Sequence, residues 1–259
     1  MMKFFKKTYF YLILLFLYAP ILTLVVFSFN DAKSRGKWGG FSFRWYQELF
    51  RNTEIMDALG TTLILALVAA LVSTIIGTLS ALALHKSNIH FRNSMINLTY
   101  LPMMNSDIVT GVSLMLLFTF FHFELGFVTL LLSHITFCIP YVILSVMPKL
   151  YGMNQSVFEA ALDLGANQWQ AYKKVVLPDI LPGIISGFLI SITLSIDDFI
   201  ISFFNTGNGV KNISILVYTS KTGVKPENYA LSSIMFGAIL VLLLIINIRE
   251  KKKATEVNY

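Results

Sequence analysis

The stretch EAALDLGANQWQAYKKVVLP, residues 159–178, is a polar, helix-forming segment that separates two strongly apolar runs. Ser156 and Glu159 have the S-x-x-E spacing of a capping box, in which each side chain satisfies a free amide at the start of a helix. A short helix is therefore expected to begin there. Gly165 can end this helix, because glycine adopts left-handed backbone angles without a steric penalty.

A second short helix is expected directly after this glycine. Asn167 can cap a helix over residues 168–176, and the charges of Lys173 and Lys174 would lie near its negative end. Pro178 is expected to stop it, since proline cannot continue the hydrogen bonding of a helix. The stretch thus predicts a compact helix–Gly–helix unit with a small-residue face, a shape suited to docking on another protein.

The composition of the chain is typical of a membrane protein. Of its 259 residues, 56 % are apolar and 13 % are charged, whereas about a quarter of a soluble domain is charged. Cys138 is the only cysteine, which excludes an internal disulfide and a cysteine-based zinc site. The four histidines lack metal-ligand spacing. The net charge of +6 comes from basic residues at the ends of apolar runs, which favours a membrane surface over nucleic acid.

Six apolar runs are long enough to cross a hydrocarbon core about 30 Å thick. The first lacks the small-residue cleavage site of a signal peptide and is expected to be retained. Six spans place both termini on one side, and the lysine-rich termini put that side in the cytoplasm. The basic run at residues 249–253 is either a solvated stop signal or a clamp on lipid headgroups. We therefore expect one transmembrane domain over residues 1–259, with spans at residues 8–29, 59–84, 95–121, 125–147, 180–204 and 229–248.

A short helix lying in the membrane interface is predicted between the first two spans. Trp45, Tyr46, Leu49 and Phe50 recur there at helical spacing. Trp45 has two interpretations. It is an aromatic anchor at the depth where tryptophan collects, or it lines the outer mouth of a substrate path.

Three acidic residues fall inside the predicted spans. Asp107 follows a break that begins at Pro102, and Asp197 and Asp198 lie in the later half of the fifth span. An ionised carboxylate in mid-bilayer costs several kcal/mol unless it faces water or a partner, and the spans contain no Lys or Arg to pair with it. The acids therefore favour a positively charged cargo, or else they bind helix backbones or a partner subunit's arginine. Adjacent helical residues point about 100° apart, so at most one of the pair can face a pathway squarely.

The motif at residues 159–178 closely resembles the EAA loop of ABC-importer permeases, with Val175 where that family prefers isoleucine. The resemblance implies the type I ABC importer permease fold and a cytoplasmic EAA loop at residues 150–179 on which an ATPase subunit docks. The alternative is a capped linker helix in which Glu159 bonds only to its own backbone. That alternative would not explain why the match to the motif extends to Leu177 and Pro178. The resemblance implies that the residues that couple the chain to the ATPase are Glu159, Ala160, Ala161, Gly165, Leu177 and Pro178.

Further motifs are similar to those of spermidine/putrescine permeases. These are MMNSDIV at residues 103–109, the fourth-span segment 133–140, TLSIDD at residues 193–198 and the last loop with its span at 218–232. The likeness covers nearly the whole chain and implies a polyamine cargo. The candidate residues of the substrate path are Asp107, Ser195, Asp197 and Asp198, with Trp45 as a further candidate.

The predicted function is that of a multi-pass permease subunit in a bacterial inner or plasma membrane, importing polyamines with energy from another chain. No G-x-x-x-x-G-K-[ST] phosphate loop occurs, so this chain is not expected to hydrolyse ATP. No catalytic residue, metal site or cofactor is expected in it. The resemblance implies a second homologous permease chain, two copies of an ATPase that binds ATP and Mg, and an extracytoplasmic polyamine-binding protein.

Three other functions remain open from the sequence. A secondary carrier would use the same acids but would need no docking loop, and it usually shows inverted repeats. An intramembrane enzyme would need a nucleophile with a base, or a set of metal ligands. An ABC permease for another small solute, such as sulfate or phosphate, would favour arginine over carboxylates on its path.

Overall fold

The computed structural model describes residues 2–33, 37–207, 209–219, 226–237 and 240–241. Within these residues the chain is almost wholly helical, and its only β pairing is an antiparallel bridge between Asn30 and Phe41. Residues 226–237 are also helical. The other helices are α1 Met2–Ser28, α2 Arg44–Arg51, α3 Thr53–Lys86, α4 Ile89–Met104, α5 Asp107–Phe120, α6 Phe127–Gly152, α7 Gln155–Asp163, α8 Gln168–Ala171, α9 Leu177–Asp197, α10 Ile200–Asn205 and α11 Ile213–Thr219.

Several of these helices have the length and hydropathy of membrane spans. Four of the described helices are long and apolar enough on their own. A fifth span results if the bent pair α4 and α5 counts as one crossing. Of the predicted sixth span, 229–248, the structure describes residues 229–237 and 240–241, and the basic run 249–253 lies outside the described residues. The four are Lys7–Ser28, Thr53–Lys86, Phe127–Gly152 and Gln168–Asp197.

The predicted third span, 95–121, is not one straight helix. Helix α4 ends at Met104, and α5 begins at Asp107 after a bend of 103°. Asn105 and Ser106 between them have extended backbone angles. Pro102 contributes to this break because it removes a backbone donor from the last turn of α4. The interruption was therefore predicted correctly, but its consequence is that Asp107 starts a helix instead of lying inside one.

The predicted fifth span, 180–204, is also divided. Helix α9 ends at Asp197, the backbone is extended at Asp198, and the short helix α10 follows from Ile200. At its other end, α9 continues without a break from α8 through a π-helical turn at Tyr172–Val176. The span thus starts earlier and stops sooner than predicted.

The chain divides into two compact units, one formed by Ala58–Leu216 and the other by the described residues on either side of it. In the first unit, α3, α6 and α9 pack closely around Val142. A Cβ atom on Gly77 would lie 2.6 Å from the Cβ of Val142, and one on Gly187 would lie 3.1 Å from its Cα. Small residues allow membrane helices to approach in this way. The core continues toward residues 150–179 through Val146, Leu150, Val176 and Ile180.

In the second unit, the helix predicted around Trp45 is confirmed as α2, and its position at a membrane interface stays a prediction. The indole of Trp45 is 2 % exposed and donates to the carbonyl of Asn30 at 2.5 Å, and Leu49 is equally buried. Phe50 on the opposite side of α2 is 63 % exposed. Trp45 therefore holds α2 against the bridge at Asn30, while the outer face of α2 exposes Arg44, Gln47 and Arg51 beside Phe50.

Candidate functional site

A cavity of about 320 Å³ brings the three predicted acids together. Asp107 is the first residue of α5, Asp197 is the last residue of α9, and Asp198 follows it. The two helix breaks therefore meet at this cavity, although about 90 residues separate them in the chain. The other lining residues are Phe137, Thr193, Leu194, Phe199 and Ile200.

The charge of the cavity has one sign. Asp107 and Asp197 are exposed, and none of the residues that line the cavity is Lys or Arg. A cleft lined by charges of one sign focuses the field and concentrates counter-ions. The geometry therefore suits a positively charged ligand, with the aromatic ring of Phe137 beside the acids.

Asp198 differs from its neighbour because its carboxylate turns into the protein. Its side chain is 6 % exposed. Its oxygens accept the backbone N–H of Ile201 at 3.1 Å and that of Ser202 at 2.7 Å, as an N-cap residue does. Asp198 thus starts helix α10, and Asp197 is the member of the pair left open to the cavity.

His134 is the centre of a buried polar cluster behind the cavity. Its Nδ1 lies 2.7 Å from the hydroxyl of Ser195 and its Nε2 lies 3.0 Å from that of Ser202. The same Nε2 is 3.5 Å from a carboxylate oxygen of Asp198. Asn212 donates to the hydroxyl of Ser202 at 2.8 Å. These contacts join α6 to both sides of the break between α9 and α10, so they set the position of Asp197.

Asn205 joins the other elements of the site. Its amide donates to the carbonyl of Gly111 in α5 at 3.1 Å, and its carbonyl accepts from the hydroxyl of Thr129 in α6 at 2.9 Å. A Cβ atom on Gly111 would lie 3.2 Å from the ring of Phe204, so α5 and α10 are in close contact. This bonding fixes Asp107 relative to Asp197.

Two predicted path residues are not among those that line the cavity. Ser195 is fully buried and its hydroxyl is engaged by His134. Trp45 is buried in its own unit and bonded to Asn30. Both placements are explained by packing, and the contact of either residue with a cargo stays a prediction.

His134 is the functional residue that sequence reasoning missed. Its partners Ser195 and Ser202 are 61 and 68 residues away in the sequence, so no local spacing reveals the cluster. The available signal was the presence of a histidine inside an apolar span, since polar groups there need partners. Among the described residues, no group of three or more His, Cys, Asp or Glu side chains could hold a metal ion.

The EAA loop has the predicted helix–Gly–helix form. Helix α7 spans Gln155–Asp163, and Gly165 follows with a φ of 86°, in the left-handed region that glycine prefers. Asn167 and Gln170 then form a reciprocal capping box, with bonds of 2.8 and 3.0 Å. The predicted cap at Asn167 is confirmed.

Two details of the loop differ from the prediction. Asn154 caps α7 by accepting from the amide of Ser156 at 3.0 Å, so the helix begins at Gln155 and the expected Ser156–Glu159 box does not form. Pro178 does not stop the second helix. The π turn before it, in which Leu177 N–H donates to the carbonyl five residues back, lets the helix pass the proline.

One face of the loop is anchored and the other is open. The rings of Phe158 and Tyr172 contact each other at 5.2 Å and pack against the core around Val146. The loop also carries exposed apolar side chains, with Leu164 89 % and Trp169 75 % exposed. Of the predicted coupling residues, Ala161 is half-buried, and Glu159, Ala160, Gly165, Leu177 and Pro178 are exposed.

The fold is similar to that of solved ABC importers. A crystal structure of a bacterial ABC transporter involved in the import of the acidic polysaccharide alginate matches with a TM-score of 0.71 and 17 % identity, covering 95 % of this chain and 92 % of that one. The MetNI methionine ABC transporter in an inward-facing form matches with a TM-score of 0.58 and 17 % identity, covering 80 % of this chain and 95 % of that one. The fold is therefore that of an ABC importer permease.

Curated relatives are closer in sequence. The spermidine/putrescine transport system permease protein PotC of Haemophilus influenzae is 37 % identical over 250 residues, 96 % of this chain and 97 % of that protein. The putrescine transport system permease protein PotI of Escherichia coli K12 is 40 % identical over 233 residues, 86 % of this chain and 83 % of that protein. Residues 73–249 match the family described as binding-protein-dependent transport system inner membrane component. The chain belongs to this family of inner-membrane transport components.

Proposed function

We propose that this chain forms part of the transmembrane path of an ATP-driven importer of polyamines. The observation that carries the proposal is the cavity at the ends of α5 and α9, where Asp107 and Asp197 are open and Asp198 lies between them and His134. The cargoes in the names of the PotC and PotI relatives, spermidine and putrescine, support the same cargo class.

The carboxylates would act by replacing part of the water around an ammonium group. A polyamine carries several such groups along a flexible apolar stem, and each open carboxylate can accept a charge-assisted hydrogen bond from one of them. Phe137 in the wall offers a ring face that attracts a cation. An anion would meet like charge in the same cavity, which disfavours a sulfate or phosphate permease.

Energy would enter through the EAA loop. We assign docking of a separate ATPase subunit to the open face of α7, with Glu159, Ala160 and Ala161 in contact and Gly165 setting the angle of the second helix. Leu177 and Pro178 lie where this helix enters α9. Because α9 ends at Asp197, movement of the loop would displace the acid at the other end of the same helix.

The complete importer would contain further chains. A second homologous permease would close the path, two ATPase copies binding ATP and Mg would act from the cytoplasm, and an extracytoplasmic polyamine-binding protein would deliver the cargo. The cycle would be alternating access, in which closure of the ATPases moves the EAA loops and reorients the helices around the acidic cavity. ATP hydrolysis would take place in the partner chains only.

The cargo is tested by uptake of radiolabelled spermidine and putrescine in cells that lack their own polyamine importers and express this chain with its partner chains. We expect Asp197→Asn to reduce uptake at least tenfold, about the effect of losing one charge-assisted hydrogen bond. Glu124→Gln is the control, because it makes the same chemical change at an exposed site away from the cavity. No uptake by a wild-type complex that hydrolyses ATP would refute the polyamine cargo. Equal loss in both variants would refute a specific role for Asp197 in the path.

The docking role is tested by reversing a charge on the open face of α7. We expect Glu159→Arg to leave membrane insertion intact and to separate ATP hydrolysis from uptake, so that uptake falls while the ATPase retains its basal rate. The control is Glu124→Arg, the same charge reversal in the turn before α6. This variant should couple ATP hydrolysis to uptake normally. Normal coupled uptake by Glu159→Arg would exclude a docking role for this residue.

A further inference from the structure

A second cavity, of about 560 Å³, forms an apolar groove between α3 and the helix that runs from α8 into α9. Its α3 wall extends from Thr74 to Lys86, and the facing wall extends from Trp169 to Ile184. The exposed side chains in it include Ile75 and Leu79, which are 60 % and 62 % exposed. This groove shares no lining residue with the acidic cavity.

The groove is charged at one end only. Lys86 is the last residue of α3, and Lys173 lies in the π turn opposite it. The Nζ of Lys86 lies 4.5 Å from the centre of the Tyr172 ring, which holds the ammonium at the rim. The rest of the lining is apolar apart from two threonines. The exposed indole of Trp169 stands at the same charged end, as aromatic side chains do at a membrane interface.

The length of the groove matches one leaflet of a bilayer. From Thr74 to Lys86 it measures about 18 Å along α3, at 1.5 Å per residue, and half of a hydrocarbon core is about 15 Å. A single acyl chain with a negatively charged head at the lysines fits the length and the charge together.

We propose that this groove binds an anionic phospholipid, with its phosphate between Lys86 and Lys173 and an acyl chain along α3 and α9. The cytoplasmic leaflet would supply this lipid if the EAA loop is cytoplasmic, and anionic lipids are attracted to basic residues there. The hydroxyls of Thr74 and Thr78 have no partner among the described residues. They can turn to the helix carbonyl four residues back, as Thr62 does, so an acyl chain beside them leaves no polar group unsatisfied.

The test is native mass spectrometry of the full-length chain in detergent, with phosphatidylglycerol or phosphatidylcholine of the same acyl chains. We expect the wild-type chain to retain phosphatidylglycerol in preference to phosphatidylcholine. Lys86→Gln and Lys173→Gln should each weaken retention about fivefold, and the double variant about 25-fold, from about 1 kcal/mol for each lysine near a membrane surface. Lys174→Gln is the matched control, since Lys174 is exposed beside Lys173 but does not line the groove.

A second variant tests the apolar part of the site. Ala83→Trp would fill the groove and is expected to abolish retention of phosphatidylglycerol without changing the charge. Brominated phosphatidylglycerol should quench part of the tryptophan fluorescence of the wild type. This quenched part should be absent from the Trp169→Phe variant.

Three results would overturn the proposal. They are equal retention of the two lipids by wild type, an equal effect of Lys174→Gln and Lys173→Gln, and crosslinking of Ala83→Cys to a protein chain in the assembled complex. None of these measurements needs ATP or a polyamine, so their outcome is independent of the proposed import.

Discussion

Asp197 and Asp198 show how two adjacent identical residues acquire different roles from their partners. Asp198 accepts two backbone amides and lies beside His134, so its charge is used inside the protein. Asp197 remains exposed at the cavity. The sequence predicted that at most one of the pair faces the path, and the local break after α9 leaves Asp197 as the one exposed at the cavity.

This division predicts that substitution of Asp198, but not of Asp197, lowers the stability of the protein. Asp198→Ala removes the cap of α10, which costs about 1 kcal/mol, and it lowers the apparent melting temperature in detergent by about 2–4 °C. Asp197→Ala, the control, should melt like wild type while losing uptake. A thermal shift assay on the two purified variants measures this. Equal melting of both variants would show that the cap bonds of Asp198 contribute nothing.

At the scale of elements, the EAA loop was predicted well because its signals are local. The left-handed Gly165 and the Asn167–Gln170 box depend on residues within a few positions of each other. The start of α7 was misassigned because Asn154 accepts the amide of Ser156 and so begins the helix two residues earlier than a cap at Ser156 would. The prediction that Pro178 stops the second helix was wrong because the π turn before it accommodates the missing backbone donor. No residue pattern indicates such a turn.

The bends and the site depend on contacts between distant residues. The break at Pro102 was visible in the sequence, but the 103° angle between α4 and α5 was not. Convergence of Asp107 with Asp197 requires Asn205 to bridge α5 and α10, and such a bond has no signature in either segment. The types of the candidate residues were therefore predictable, whereas their grouping around one cavity was not.

Gly165 allows a test of the loop as an element. Gly165→Ala forces a side chain into left-handed angles, which costs about 1–2 kcal/mol, although no atom would clash with the new Cβ. Amide hydrogen exchange in residues 155–171 should therefore become at least about fivefold faster. Gly152→Ala is the control, because that site is equally open and has no positive φ. Unchanged exchange in Gly165→Ala would mean that the loop relaxes to another turn.

At the scale of the whole molecule, one helix connects the two candidate sites. The helical run Gln168–Asp197 has 30 residues and is about 45 Å long. It begins within the EAA loop and ends at the acidic cavity, with the π turn and two prolines near its first end. Close packing of Gly187 against Val142 holds its middle to α6. A displacement of the loop would therefore reach the cavity through a rigid element, with the adjustable turn placed near the loop.

The sidedness of the molecule gives the last prediction. Helix α6 has 26 residues and is about 39 Å long, so the turn before it and the EAA loop after it should lie on opposite sides of the membrane. In a Cys138→Ser background, Phe123→Cys should react with an impermeant maleimide in intact cells, because its side chain is 57 % exposed. Leu164→Cys, 89 % exposed, should react only after permeabilisation. Labelling of Leu164→Cys in intact cells would place the EAA loop outside, where no ATPase could reach it, and would refute both the orientation and the coupling proposed for it.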